Sequence, residues 1–232
     1  MKYKRVILKI SGEALAGPGK TGIHMPTVAG VVKQLAVIHA SGIEAGIVLG
    51  GGNFWRGRQG EEMNRTTADH MGMLATVINS LAIADALEKA GIPTRVMTAL
   101  TMPQVAEPYI VKRAIRHFEK GRIVIFACGT GNPFFSTDSG AALRAADTGA
   151  GALLMAKNID AVYDSDPRKN PNAKRFDKLS YLDVINKGLA LMDATSITMC
   201  MENKIPIIAF GLAEKDGIIK AANGEKIGTL IN

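Results

Sequence analysis

The sequence lacks several features on which whole classes of protein depend. It has only two cysteines, Cys128 and Cys200, and its four histidines form no HxxxH spacing, so neither a disulfide framework nor a zinc site is expected. No stretch without Asp, Glu, Lys or Arg is longer than 15 residues, a length reached between Asp69 and Asp85. A membrane-spanning helix needs about 20 apolar residues. The N-terminal MKYKRVILKI has no separate apolar core, so we expect a cytoplasmic protein without a signal peptide or membrane anchor.

The signature motifs of two large kinase classes are also missing. No GxxxxGK[ST] is present, which excludes P-loop kinases, and no HRD or DFG is present, which excludes protein kinases. The segment GTGNPFF departs from GxGxxG because its sixth residue is Phe134. Dinucleotide binding of the Rossmann type is therefore poorly supported.

The charge balance points to an anionic partner of small size. The 28 Lys and Arg outnumber the 21 Asp and Glu, giving a net charge of +7. Aromatic residues make up only 5% of the chain, and the basic residues form small, separated groups, whereas nucleic-acid binders concentrate basic residues and interleave aromatics. We therefore expect a phosphorylated small molecule and no nucleic acid.

Apolar, β-branched runs alternate with helical patterns along the whole chain, without a linker or repeat. The predicted strands are Arg5–Ile10, Glu44–Leu49, Thr94–Thr98, Arg122–Cys128, Ala152–Ala156 and Pro206–Phe210. The predicted helices are Pro26–Ala40, Thr67–Ala90, Val105–Lys120, Ser139–Thr148 and Thr195–Asn203. This alternation predicts one α/β domain, a mainly parallel twisted sheet with helices on both faces.

Three of the predicted strands end in glycine-containing turns. Ser11-Gly12 follows the first strand, Gly50-Gly51-Gly52 the second, and Gly129-Thr130-Gly131 the fourth. In an open parallel sheet, ligands bind beyond the carboxyl ends of the strands. Glycine there lets backbone N–H groups approach phosphate oxygens. With Lys9 and Arg56 beside the turns, the sequence predicts a phosphate site at this edge.

The motifs together resemble the amino-acid-kinase superfamily and, within it, the bacterial uridylate kinases. The resemblance runs from LKISGEAL through GGGNFWRG, DHMGMLAT, GTGNPFFSTDSGAALRA, AKNIDAVYDSDPRK and LMDATS to GEKIGTLI. It implies a three-layer αβα fold and transfer of the γ-phosphoryl of ATP to UMP, with Mg²⁺ carried by the ATP phosphates. It also implies an acceptor half at about residues 1–150 and an ATP half at about 151–232.

The resemblance implies a role for each matching residue. The catalytic set would be Lys9, Arg56, Asp138 and Asp193, with no direct metal ligand and Asp138 as a contact to the hydrated Mg²⁺. ATP would be bound by Lys9, Ser11, Gly12, Gly52, Arg56, Lys157, Tyr163 and Asp166. UMP would be bound by Gly51, Asp69, Gly129, Thr130, Gly131, Asn132, Pro133, Phe134, Phe135 and Ser136.

Regulation and assembly are also implied by the resemblance. GTP activation would involve Gly17, Pro18, Gly19, Lys20, Thr21, Gly22 and Arg95. UTP would inhibit, and a homohexamer built as a trimer of dimers is expected. Two alternatives stay open: another phosphotransferase of the superfamily, and a nucleotide-binding sensor that uses the fold without turnover.

Overall fold

A central sheet of nine strands organises the molecule. The computed structural model describes residues 2–55, 62–189 and 191–232. The strands are β1 Arg5–Ile10, β2 Glu44–Leu49, β3 Thr94–Thr98, β4 Glu107–Pro108, β5 Ile123–Ala127, β6 Ala152–Lys157, β7 Val162–Tyr163, β8 Arg175–Phe176, β9 Lys178–Leu179, β10 Ile207–Gly211 and β11 Thr229–Ile231. The sheet order is β4-β3-β5-β2-β1-β6-β10-β11-β9, and β7 and β8 form a separate hairpin. Among the described residues, only the β10–β11 pairing within the large sheet is antiparallel, so the predicted mainly parallel sheet is confirmed.

Helices cover both faces of this sheet. They are α1 Gly12–Leu15, α2 Met25–Ala40, α3 Arg65–Lys89, α4 Val111–Glu119, α5 Thr137–Thr148, α6 Tyr181–Asn186, α7 Ala194–Glu202 and α8 Gly217–Asn223. Side chains of α2, α3 and α8 pack with Leu8 and Ile47 on one face, and those of α4, α5 and α7 pack with Ile7 and Leu153 on the other. Because successive strand residues point to opposite faces, β1 contributes side chains to the hydrophobic core on each side of the sheet. The three-layer arrangement is confirmed.

One predicted helix is wrong in its first half. The helix expected over 105–120 begins only at Val111, and Glu107–Pro108 instead forms β4, which pairs with the end of β3. Pro108 is the physical reason, because proline has no N–H and disfavours helical backbone in the residue before it. Short elements such as α1, α6, α8 and β11 were not predicted, since they carry too few residues for a periodic pattern.

The connections change direction beside the central strand β1. The chain leads from β1 to its neighbour β2, whereas the connection from β5 through α5 returns across β1 to β6. The carboxyl ends of β1 and β6 therefore flank a topological switch point, where open α/β sheets bind ligands. Lys9 lies at the end of β1 and Lys157 at the end of β6.

Helix α3 is long and apolar enough to cross a membrane by length and composition alone, although half of its most apolar stretch is buried in the fold. Among the described residues it is the single helix of this kind. Ile83 and Leu87 are fully buried against the sheet. A core helix passes the same test, so this finding is weak evidence for a membrane.

Candidate active site

A cleft of about 790 Å³ opens at the carboxyl edge of the parallel strands. It is formed by the residues that follow β1, β2, β5 and β6 together with the first turn of α5. The predicted site residues that line it are Lys9, Ser11, Gly12, Gly51, Gly52, Asp69, Gly129, Thr130, Asn132, Phe134, Phe135, Ser136, Asp138, Lys157 and Asp193. Residues spread over most of the sequence are thus brought to one edge of the sheet.

Two lysines and one aspartate form the charged centre of the cleft. Lys9 Nζ lies 2.6 Å from Asp138 Oδ1, and Lys157 Nζ lies 4.0 Å from Asp138 Oδ2. Lys157 also donates a hydrogen bond to the carbonyl of Leu191. Burial lowers the pKa of Lys157, and the positive charge of Lys9 acts in the same direction, while Asp138 and Asp193 oppose the shift. The centre can place two cations beside an anionic ligand.

Asp193 joins the start of α7 to the start of α5. As the N-cap of α7, its carboxylate accepts from the backbone N–H of Ser196 at 2.9 Å, and it also accepts from the hydroxyls of Ser139 at 2.9 Å and of Ser136. Burial disfavours the charge, but these hydrogen bonds outweigh burial and lower the pKa of Asp193. Asp193 therefore stays ionised and positions the first turn of α5, which carries Asp138.

The glycines after β1 and β2 permit a close backbone contact. A Cβ on Gly12 would lie 2.6 Å from the Gly50 carbonyl oxygen and 2.7 Å from Gly52 N, which no side chain tolerates. A Cβ on Gly51 would lie 2.7 Å from the carbonyl oxygen of Gly72 in α3. Packing alone therefore demands glycine at these positions, and the same absence of side chains leaves the backbone open to the cleft.

The loop after β5 is held in an unusual backbone conformation. Cys128 and Phe134 have φ values of 66° and 71°, in the left-handed region that disfavours side chains. Asp69 at the start of α3 accepts the Phe134 N–H at 2.7 Å and also pairs with Arg65 at 2.9 Å. Asp69, predicted to bind the UMP ribose, thus also ties α3 to the loop. Gly131 and Pro133 belong to this loop without lining the cleft in the described part of the chain.

Two residues predicted for ATP, Tyr163 and Asp166, lie outside the cleft lining among the described residues. The Tyr163 hydroxyl donates to Asp160 at 3.0 Å, and Asp166 accepts from Arg168 at 3.0 Å. Hydrogen bonds from Arg168 lower the pKa of Asp166. Arg168 itself lines the cleft, so this loop reaches the site through a residue that sequence reasoning did not select.

The segments predicted for GTP do not come together. The loop over 17–22 contacts the turn after β2, since Gly22 N–H donates to the Asn53 carbonyl at 3.0 Å. Arg95 instead lies near the far end of α3, 3.9 Å from Glu88 and 3.5 Å from Glu107. It borders a second cavity of about 490 Å³. Arg56, predicted to be catalytic, lies outside the described residues.

Sequence reasoning missed three buried polar residues that support the site. Arg144 in α5 donates to the Gly129 carbonyl at 3.0 Å and stacks 3.6 Å from the centre of the Tyr109 ring. Asn53 and Asn79 form a buried amide pair beneath the turn after β2. For Arg144 and Asn79 the available signal was a polar residue within a helix pattern, and that signal does not say which buried partner the residue meets.

The donor set suits a metal ion that is carried mainly by phosphate. No group of three or more His, Cys, Asp or Glu that could hold a metal occurs within residues 2–55, 62–189 and 191–232. Asp138 and Asp193 both line the cleft. Mg²⁺ keeps several waters and takes few protein carboxylates, so these residues fit it as contacts to a phosphate-bound ion.

Comparisons with known proteins agree with this geometry. The model of the amino acid kinase family matches residues 4–210. The crystal structure of UMP kinase from Bacillus anthracis is 38% identical, with a TM-score of 0.96, over 100% of this chain and 97% of that one. UMP kinase from Ureaplasma parvum is 36% identical, with a TM-score of 0.93 and full coverage of both chains. Uridylate kinase from Archaeoglobus fulgidus, 24% identical over 98% of this chain and 99% of that one, shares the fold at a TM-score of 0.76. The chain belongs to the amino acid kinase family, and to the part of it that includes these solved UMP kinases.

Proposed function

We propose that the protein transfers the γ-phosphoryl group of ATP to UMP, giving UDP and ADP in pyrimidine nucleotide synthesis. The observation that carries the proposal is the Lys9–Asp138–Lys157 centre at the switch point, with a glycine turn on each side. The full-length similarity to two UMP kinases supports UMP as the acceptor.

The chemistry asks the protein mainly to align two phosphates and offset their charge. Lys9 is a point charge held in place by Asp138, so it meets the transferring group with little reorganisation. Lys157 supplies a second cation from the neighbouring strand. Backbone N–H groups of Gly12 and Gly52 contact phosphate oxygens. We assign Arg56 to the same group on the resemblance.

The acceptor half, residues 1–150, would contribute Gly51, Asp69 and the segment 129–136 to UMP. Asp69 accepts hydrogen bonds from the ribose hydroxyls, and the loop encloses the base and its phosphate. The ATP half, residues 151–232, contributes Lys157 and the loop that carries Tyr163 and Asp166. Mg²⁺, when bound, would neutralise charge on the ATP phosphates, and Asp138 and Asp193 would hold it through its waters.

Assembly, control and location are the finer parts of the proposal. Leu74, Ile78 and Leu81 are 50%, 48% and 40% exposed and lie on one side of α3 at helical spacing. This apolar stripe supports a subunit interface in a homohexamer, a trimer of dimers. On the resemblance, we assign GTP activation to the loop over 17–22 and to Arg95, and UTP is the expected inhibitor. The protein would act in the cytoplasm.

One coupled assay of ADP formation tests the reaction. It compares UMP, CMP, dUMP and no acceptor, each with ATP and Mg²⁺. We expect rapid ADP formation with UMP and little with the other three. Activity on a carboxylate, carbamate or isoprenoid phosphate instead would identify another phosphotransferase of the family, and nucleotide binding without ADP formation would indicate a sensor.

A further inference from the structure

A pair of buried amides lies directly beneath the turn that follows β2. Asn53 is 1% exposed and Asn79 is fully buried within α3. The Asn53 amide donates to Asn79 Oδ1 at 2.9 Å, and the Asn79 amide donates to Asn53 Oδ1 at 2.7 Å. The two side chains thus form a reciprocal hydrogen-bonded pair.

The second N–H of each amide reaches backbone. Asn79 donates to the Gly50 carbonyl at 2.7 Å, and Asn53 donates to the Gly22 carbonyl at 2.7 Å. All four amide N–H groups of the pair are therefore used, which makes it a fully satisfied buried network. The pair joins three segments: α3, the turn after β2 and the loop over 17–22.

The bond to Gly50 decides which way the turn presents its backbone. In a trans peptide the carbonyl and the following N–H point in opposite directions. Because the Asn79 side chain holds the Gly50 carbonyl by a hydrogen bond, the N–H of Gly51 points away from the Asn79 side chain. Among the described residues, neither the N–H of Gly51 nor that of Gly52 donates a hydrogen bond to an acceptor. Both residues line the cleft.

We propose that Asn53 and Asn79 act together as positioning residues, and that they orient the Gly50–Gly51 peptide so that its N–H faces a nucleotide phosphate oxygen. The inference rests on the proposed function. It differs from a role in stability alone because one defined N–H direction depends on the pair. Turnover should then depend on the pair, since small displacements of a positioned group cost activity even when binding persists.

Asn79→Ala, Asn53→Ala and the double variant test this, with Ser80→Ala as the matched control. Ser80 is fully buried one residue further along α3, and its hydroxyl donates to the Thr76 carbonyl within the same helix. We expect Asn79→Ala to lower kcat roughly tenfold or more, with the KM values for ATP and UMP changed by less than about threefold. Ser80→Ala should keep kcat within about twofold.

The double variant separates a joint role from two independent ones. If the amides act as one unit, its kcat should be no lower than that of Asn79→Ala, whereas independent residues would give multiplied losses. Should Asn79→Ala not fold, Asn53→Ala carries the test, because it removes the partner that orients the Asn79 amide. We then expect a smaller but measurable fall in kcat at unchanged KM.

Melting temperatures measured beside the kinetics decide the outcome. Variants that melt earlier but keep the wild-type kcat would overturn the inference, because the pair would then only stabilise the fold. Multiplied losses in the double variant would overturn the joint role. A wild-type protein that forms no ADP with UMP would refute the proposed function itself, which is a different result from active wild-type and active variants.

Discussion

Two clusters, one in the cleft and one near the far end of α3, each pair basic with acidic side chains, but in different surroundings. In the cleft, Lys9 and Asp138 are 2.6 Å apart and their side chains are 9% and 15% exposed. Near the last turn of α3, Arg95 and Glu88 are 3.9 Å apart with side chains 38% and 58% exposed. Solvent screens the second pair, so the attraction between its charges contributes little to the stability of the fold. The cleft cluster differs from the exposed one in its burial and in its position beside the first turns of helices, and not in the signs of its charges.

The largest expected effect comes from removing the central cation. Lys9→Ala should lower kcat by at least about 10²-fold, because it deletes a preorganised charge aimed at the transferring phosphoryl group. Steady-state kinetics measures the loss, and circular dichroism checks that the fold is intact. Turnover near the wild-type value in a folded variant would show that Lys9 takes no part in the reaction. The cleft pair would then have no functional advantage over the exposed pair.

Asp69 is intermediate between the two clusters. It forms an ion pair with the partly exposed Arg65, and it also lines the cleft. Asp69→Asn should raise the KM for UMP roughly ten- to hundredfold, because a charge-assisted hydrogen bond is worth about 1.5–3 kcal/mol. The KM for ATP should stay unchanged, and part of the preference for UMP over dUMP should be lost.

Asp85→Asn is the matched control for Asp69→Asn. Asp85 lies on the same helix and forms an exposed pair with Lys89. Its substitution should leave both KM values unchanged. An Asp69 variant that loses only melting temperature, with the UMP/dUMP ratio intact, would make Asp69 a purely structural link to the loop.

Asp193 allows the cleft cluster to be tested by the pH dependence of stability. Its pKa is lowered in the folded protein, so the stability that it contributes is complete above its ordinary pKa and is lost as pH falls through the lower folded value. The melting-temperature difference between wild type and Asp193→Asn should therefore be largest near neutral pH and shrink below about pH 4. Calorimetry between pH 7 and 3 measures it, and a difference that stays constant with pH would contradict a partly buried, ionised Asp193.

The smallest expected effect belongs to the exposed cluster. Glu88→Gln should change the free energy of unfolding by less than about 0.5 kcal/mol, because exposed ion pairs contribute little. Turnover without GTP should be unchanged. Denaturant unfolding and the ADP assay check both values, and a loss above about 1 kcal/mol would show that exposure does not separate the two clusters.

Sequence reasoning was most successful where local pattern decides structure. The strands Arg5–Ile10, Glu44–Leu49 and Thr94–Thr98 have the predicted bounds, because short runs rich in apolar and β-branched residues favour strands of a parallel sheet. The helix expected over 105–120 failed in its first half, where Pro108 interrupts an otherwise helical pattern.

The sequence by itself determined the fold class, the glycine turns and the family, because these depend on residue type and spacing along the chain. Only the tertiary structure decided which polar residues meet. Asp193 reaches the start of α5 from 54 residues away along the chain, and Asn79 reaches the turn after β2 from 29 residues away. Sequence spacing carries no information about such contacts, because the packing of α3 and α7 on the sheet creates them. The buried amide pair and the orientation of Asp138 are therefore properties of the folded chain.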